Sequence, residues 1–135
     1  MRVVLDTNVL VSGLISAEGP CGQILRLMTE DVLQPCLDER ILAEYEAVLS
    51  RPELQIDPED IAGTIEIIHE SGEFLTPLPS PMELPDATDM PFLEVAASGE
   101  AVLITGNARH FPARARAGVR VMTPREFLDL LRGAS

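Results

Sequence analysis

Short runs of Val, Ile and Leu alternate along the chain with longer segments in which apolar residues recur every three or four positions. The short runs predict five β-strands, at 3–5, 32–33, 74–75, 102–104 and 119–122. The stretches RVVL and VLIT are continuously apolar, which is typical of central parallel strands that are covered on both faces.

The longer segments predict helices between these strands. In residues 38–50 the apolar side chains fall on one face, and Arg51-Pro52 ends the run. A second helix follows Asp57, which can cap it, and stops before Gly72.

Two more helices are predicted in the second half of the chain. Thr123 and Glu126 form a capping-box pattern that begins the last helix. Asp89 is well placed to cap a helix over 90–98, and we interpret it so. The preceding segment, PLPSPMELPDATDMP, holds five prolines and is predicted to be a rigid connector.

Strands that alternate with helices predict an α/β fold with a mostly parallel sheet and right-handed crossovers. The 135 residues are enough for one domain, 1–135, with a single hydrophobic core. The apolar stretch after Met1 is interrupted by polar residues, and no segment is long enough to span a bilayer. We therefore expect a soluble, cytoplasmic protein without a membrane partner.

The net charge of −12 is unevenly distributed. Residues 38–100 carry 16 acidic side chains against two arginines, whereas residues 101–135 carry six arginines against two acids. Such an excess of acid argues against tight non-specific binding of nucleic acid through charge alone. It leaves room for a local arginine patch and for a carboxylate cluster that binds cations.

Two predicted strands end in polar residues. The first runs into Asp6-Thr7-Asn8, and the fourth runs into Gly106-Asn107. Sites in parallel α/β folds form at the carboxyl ends of strands. If these two strands are neighbours, Asp6 and Asn107 meet at one edge of the sheet.

Other acids compete for a place at that edge. Glu44 and Glu46 lie on opposite flanks of their helix, so periodicity does not choose between them. Capping explains Asp89 but leaves Asp86 without a structural role. Carboxylates gathered at one edge repel each other unless a cation joins them, and Mg²⁺ or Mn²⁺ would do so. Phosphodiester hydrolysis by a metal-activated water is the chemistry that such a site favours.

Four blocks, DTNVLVSG, LAEYEAVLSRP, PDATDMPFLEVAASG and LITGNARHFP, occur in an order and spacing that resemble the PIN-domain family. More narrowly, the chain resembles the group of toxin components of toxin–antitoxin systems. The resemblance implies a three-layer α/β/α, Rossmann-like fold with a central, mostly parallel sheet. It also implies a Mg²⁺- or Mn²⁺-dependent nuclease that cuts single-stranded RNA, and, as partners, an antitoxin protein and a second copy in a homodimer.

Carried over by motif, Asp6, Glu44 and Asp89 match the metal-binding acids, and Asp86 matches an additional aspartate. The resemblance thereby selects Glu44 over Glu46. The supporting polar residues that it implies are Thr7, Asn8, Ser12 and Thr105.

One position departs from the family pattern. Many members read TGD where this chain reads Thr105-Gly106-Asn107. An amide keeps a carbonyl ligand but loses a charge, so Asn107 would hold a second metal more weakly. His110 is interpreted as a structural or supporting residue, not as a catalytic base.

The sequence thus predicts a metal-dependent endoribonuclease. The phosphate backbone of the RNA substrate would be bound by some of four arginines, Arg109, Arg114, Arg116 and Arg120. The alternative is a PIN-like module that binds RNA or protein without cutting. A flavodoxin- or receiver-like signalling domain ranks last, because it would need a lysine at the end of a late strand and the chain has none.

Overall fold

The computed structural model describes residues 1–133 of the chain, and within them a five-stranded, all-parallel sheet forms the centre of a three-layer α/β/α fold. The strand order is β3-β2-β1-β4-β5. The strands are β1 (Arg2–Leu5), β2 (Gln34–Leu37), β3 (Glu73–Phe74), β4 (Val102–Ile104) and β5 (Val121–Met122). The predicted fold class is confirmed.

Six α-helices surround the sheet. They are α1 (Thr7–Ile15), α2 (Pro20–Thr29), α3 (Glu39–Leu49), α4 (Pro58–Ser71), α5 (Met90–Gly99) and α6 (Pro124–Gly133). Helix α5 packs over β1, β2 and β4, while α1 packs on α2 and α3, and α2 packs on α6. Short 3₁₀ turns lie at 52–54, 87–89, 108–110 and 113–115.

The cap signals read from the sequence hold for two helices. Asp57 accepts a hydrogen bond from the Glu59 N–H at the start of α4, and Gly72 ends that helix. The capping box of α6 forms in both directions, between Thr123 and Glu126. Within residues 1–133, none of the helices combines the length and the apolar character needed to cross a bilayer.

The predicted strand at 32–33 is wrong. Val32 and Leu33 belong to the turn after α2, where both of their N–H groups donate to Leu27 O. The strand begins at Gln34 and includes Pro35, a residue that argues against a central strand. The Gln34 N–H points to β1, so the missing N–H of Pro35 falls on the β3 side. Because pairing with β3 starts only at Cys36, no ladder bond is lost there.

The core is built from Val, Ile and Leu, with buried Tyr45, Phe92, Phe111 and Phe127 as its largest members. All three residues of β1 after Arg2 are fully buried. Asp6, which follows the carboxyl end of this strand, is itself buried.

Candidate functional site

Asp6 follows β1 and lies beside the end of β4, because Leu5 pairs with Ile104. Its side chain is only 6% exposed. One carboxylate oxygen, Oδ2, accepts a hydrogen bond of 2.7 Å from the Thr105 hydroxyl, and the other, Oδ1, accepts one of 2.8 Å from the Thr7 N–H. Burial raises the pKa of Asp6, and these two donors work against the rise.

Asn8 links this carboxylate to the next loop. Its amide nitrogen donates to Asp6 Oδ2 at 3.3 Å, and its oxygen accepts from the Gly106 N–H at 3.1 Å. A Cβ built on Gly106 would lie 3.4 Å from the Asn8 oxygen, so the loop passes close to this side chain. Asn8 and Thr105 therefore contact the Asp6 carboxylate with their side chains. Thr7 contacts it through its backbone N–H and is linked to Glu44 through its hydroxyl.

Glu44 is brought to the same place by α3. The neighbouring Tyr45 is buried and donates its hydroxyl proton to Leu5 O at 2.5 Å, which fixes α3 against the end of β1. The Thr7 hydroxyl donates to Glu44 Oε2. Glu46, in contrast, is exposed and lines a separate groove between α3 and α4.

Asp86, and not Asp89, makes the capping hydrogen bonds before α5. Asp89 makes no capping hydrogen bond, so the prediction that it caps α5 is wrong. Asp86 accepts hydrogen bonds from the Thr88 N–H and hydroxyl, at 2.9 and 2.7 Å, and caps the 3₁₀ turn 87–89 that leads into α5. Because this turn runs into the helix, Asp89 already has helical backbone angles, and its side chain is free for another role.

That side chain is buried and incompletely satisfied. Asp89 is 9% exposed, and its Oδ2 has no hydrogen-bond partner within residues 1–133. Burial raises the pKa of Asp89 to about 6, and the negative charges of Asp6, Asp86 and Glu44 add to the rise. These four carboxylates, Asp6, Glu44, Asp86 and Asp89, are called the acidic rim below.

The acidic rim suits a hard divalent cation in its chemistry. It offers oxygen ligands, a buried oxygen without a hydrogen-bond partner, and negative charges that raise the pKa of Asp89. In the described part of the chain, no group of three or more His, Cys, Asp or Glu side chains is already arranged as a metal site. Metal binding through three of these carboxylates would therefore require their side chains to shift toward one another, with water molecules as the remaining ligands.

Asn107 and Ser12, two further residues expected at the rim, make hydrogen bonds to residues other than its carboxylates. Asn107 is exposed, and its N–H donates to the Thr105 hydroxyl at 3.0 Å. The Thr105 hydroxyl therefore connects the Asn107 N–H to the Asp6 carboxylate, and the Asn107 side chain as a metal ligand stays a prediction. The Ser12 hydroxyl is a hydrogen-bond partner of the Cys21 thiol.

The four candidate arginines divide by position. Arg109 and Arg114 are exposed in the loop that follows β4 from the rim end of the sheet. The guanidinium of Arg116 donates to Phe111 O at 2.7 Å. Arg120 precedes β5, and its carbonyl accepts from Leu103 N–H, which places it at the opposite end of the sheet from Asp6.

His110, interpreted from the sequence as a structural or supporting residue, lies beside one of the rim acids. Its Nδ1 lies 3.3 Å from Asp89 Oδ2. The signal that could have found it was its place in the loop three residues after Asn107. Glu94, in the first turns of α5, is buried and forms an ion pair with Arg40.

Comparison with known proteins gives a family match and a similar protein. The sequence profile of the PIN domain matches residues 2–109. The chain is also similar to an uncharacterized protein of Methanocaldococcus jannaschii, with 26% identity over 140 residues, covering 96% of this chain and 90% of that protein.

Proposed function

The chain belongs to the PIN domain family, and we propose that it is a Mg²⁺- or Mn²⁺-dependent endoribonuclease that cleaves single-stranded RNA in the cytoplasm. PIN domains are generally nucleases, which supports hydrolysis of a phosphodiester as the reaction. The observation that carries the proposal is Asp89 Oδ2, a buried oxygen without a hydrogen bond, on a carboxyl whose pKa is raised by burial and by the charges of the other acids of the rim.

Asp6, Glu44 and Asp89 would hold the metal, with Asp86 beside them. A bound ion would supply an activated water and neutralise charge that develops on the phosphate. The chain's own contribution is orientation. Thr105 and the Thr7 N–H fix the Asp6 carboxylate, and the Thr7 hydroxyl fixes that of Glu44.

The RNA backbone would lie over the rim and reach the loop after β4. Arg109 and Arg114 are the arginines proposed to contact phosphates, since both are exposed on that loop. Arg116 is engaged with the backbone of its own loop, and Arg120 is at the far end of the sheet. Substitution of either of these two should affect RNA affinity less than substitution of Arg109.

The test compares two glutamates on one helix. A pool of single-stranded RNA is incubated with Mg²⁺ or Mn²⁺ and with wild type, Glu44→Gln or Glu46→Gln. Loss of a metal ligand should slow cleavage at least about 100-fold in Glu44→Gln, and Glu46→Gln should stay near wild type. Cleavage that survives EDTA, or that falls equally in both variants, would contradict the proposal.

The proposed setting is a toxin–antitoxin pair in which a partner segment covers the acidic rim, with a homodimer as the unit that cuts. Co-expression with the product of a neighbouring small reading frame should suppress both toxicity and RNA cleavage. Unchanged toxicity would contradict this part of the proposal and leave the nuclease untouched.

A module that binds RNA or protein without cutting remains the second candidate. Asn107 favours it, because many members of the family carry an aspartate there and the amide cannot supply its charge. Undiminished RNA binding with no turnover in either metal would decide for this candidate.

A further inference from the structure

His110 is the residue that the proposed mechanism does not use although it lies against the acidic rim. It ends the 3₁₀ turn 108–110, directly after the loop that Thr105 begins. Its side chain is 50% exposed, while that of Asp89 beside it is 13% exposed. One edge of the imidazole therefore faces solvent and the other faces the buried carboxylate.

The contact between the two is close without being a hydrogen bond. His110 Nδ1 lies 3.3 Å from Asp89 Oδ2, yet Oδ2 has no hydrogen-bond partner in the described part of the chain. The two atoms are thus near each other without the alignment that an N–H donor requires. A buried charged oxygen left in this state is costly, so the arrangement calls for a further atom between or beside them.

The separation suits two ligands of one ion. Ligand distances of about 2.1 Å place neighbouring ligands about 3.0 Å apart in an octahedron and about 3.4 Å apart in a tetrahedron. The observed 3.3 Å between Nδ1 and Oδ2 lies between these two values.

We propose that His110 is a nitrogen ligand of the ion at the acidic rim, beside Asp89, and that it makes the site prefer a first-row transition ion such as Mn²⁺ over Mg²⁺. The inference rests on the metal site proposed above. Mg²⁺ favours oxygen ligands and keeps its waters, whereas imidazole nitrogen is a ligand of transition ions. With Asp6, Glu44 and Asp89 alone, the site would have oxygen donors only and no such preference.

The competing interpretation is an ion pair in which His110 only neutralises Asp89. The two interpretations predict opposite effects when the imidazole is removed. If His110 is a metal ligand, its loss weakens the binding of Mn²⁺ and leaves the binding of Mg²⁺ nearly unchanged. If His110 only forms an ion pair with Asp89, its loss removes a positive charge that competes with the metal, and the binding of both ions becomes stronger.

The experiment measures metal binding in the absence of RNA. His110→Asn keeps a polar atom near the position of Nδ1, and His69→Asn is the matched control, since His69 is the other histidine of the chain and stacks on Phe74. Mn²⁺ affinity is measured by electron paramagnetic resonance and Mg²⁺ affinity by calorimetry. Nitrogen bound to Mn²⁺ is detected by its ¹⁴N modulation of the electron spin echo.

For wild type and His69→Asn we expect ¹⁴N modulation and tighter binding of Mn²⁺ than of Mg²⁺. For His110→Asn we expect at least about tenfold weaker Mn²⁺ binding, a change in Mg²⁺ affinity of no more than about twofold, and loss of the ¹⁴N signal. The circular dichroism of the three proteins should match.

The inference is overturned if wild type shows no ¹⁴N modulation, or if His110→Asn binds Mn²⁺ as tightly as wild type or more tightly. These outcomes differ from failure of the nuclease proposal. A protein that binds Mn²⁺ through His110 and cuts no RNA would contradict only the nuclease. A protein that cuts RNA with metal binding independent of His110 would contradict only the histidine ligand.

Discussion

Two pairs of buried carboxylates lie at the same end of the sheet and are neutralised in different ways. Asp38 and Glu94 are each 8% exposed, and Asp6 and Asp89 are 6% and 9% exposed. The first pair shares Arg40, whose guanidinium nitrogens lie 2.7 Å from Asp38 and 2.9 Å from Glu94. Within residues 1–133, no arginine lies within ion-pair distance of the second pair.

The difference separates a structural cluster from a binding site. Asp38 also caps α3 through the Ile41 N–H, and Glu94 accepts from the Ser80 N–H and so holds the proline-rich connector. Every acid of that pair is satisfied by the chain itself. Both oxygens of Asp6 accept hydrogen bonds, but no arginine pairs with it within residues 1–133, and Asp89 Oδ2 lacks a hydrogen bond. A cation from solution would neutralise this second pair.

The largest effect should come from Asp89→Asn. RNA cleavage should fall at least about 100-fold with the loss of a metal ligand. The same change removes a buried charge without a hydrogen bond, so the metal-free protein should gain about 1 kcal/mol in free energy of unfolding. Activity assays and urea unfolding check the two parts. A variant that loses stability as well as activity would show that Asp89 is structural.

The second largest effect should be the change in the free energy of unfolding when metal is added. At a free concentration a hundredfold above its dissociation constant, Mn²⁺ should raise the free energy of unfolding of wild type by about 2.7 kcal/mol. Asp89→Asn should gain much less, and Arg40→Met should gain as much as wild type. Equal stabilisation of all three proteins in denaturant titrations would mean that the ion binds elsewhere.

Removal of the Arg40 guanidinium should destabilise only the pair of Asp38 and Glu94. Arg40→Met leaves Asp38 and Glu94 buried without it, which should cost about 1–3 kcal/mol in free energy of unfolding, a range reduced because Arg40 is half exposed. Arg51→Met, at an exposed arginine beyond the end of α3, should change that free energy by no more than about 0.5 kcal/mol. A loss no greater in Arg40→Met than in Arg51→Met would remove the contrast between the pairs.

The smallest effect concerns pH in the absence of metal. The pKa of Asp89 is raised from 3.8 to about 6, so the folded protein holds this proton more tightly than the unfolded chain. The contribution to stability is fully present below pH 3.8 and is lost as the pH rises through about 6. In EDTA, the stability of wild type relative to Asp89→Asn should fall over this range. A difference that is constant with pH would argue that Asp89 is solvated.

Much of the fold could be predicted because local signals and burial agree. Helices α4 and α6 carry their own caps, and the apolar runs of β1 and β4 follow from burial on both faces. Strand β2 was misplaced because Pro35 is normally excluded from a central strand. The missing N–H of Pro35 costs no hydrogen bond because β3 begins to pair only at Cys36, and this register depends on tertiary structure.

The site was less accessible from sequence for a similar reason. Asp86 and Asp89 are both aspartates near a helix start, and only the 3₁₀ turn between them decides which one caps. The pairing of β1 with β4 brings the Thr105 hydroxyl to Asp6 and the Asn107 N–H to Thr105, contacts that follow from the strand order rather than from a local pattern. The approach of His110 to Asp89 depends on the path of a loop that no periodicity describes.

The most direct test is an anomalous difference map from a crystal soaked in Mn²⁺. We expect one peak at the acidic rim, about 2.2 Å from carboxylate oxygens of Asp6, Glu44 and Asp89. No peak at the rim at saturating Mn²⁺, or a peak on Asp38 and Glu94 instead, would contradict this expectation.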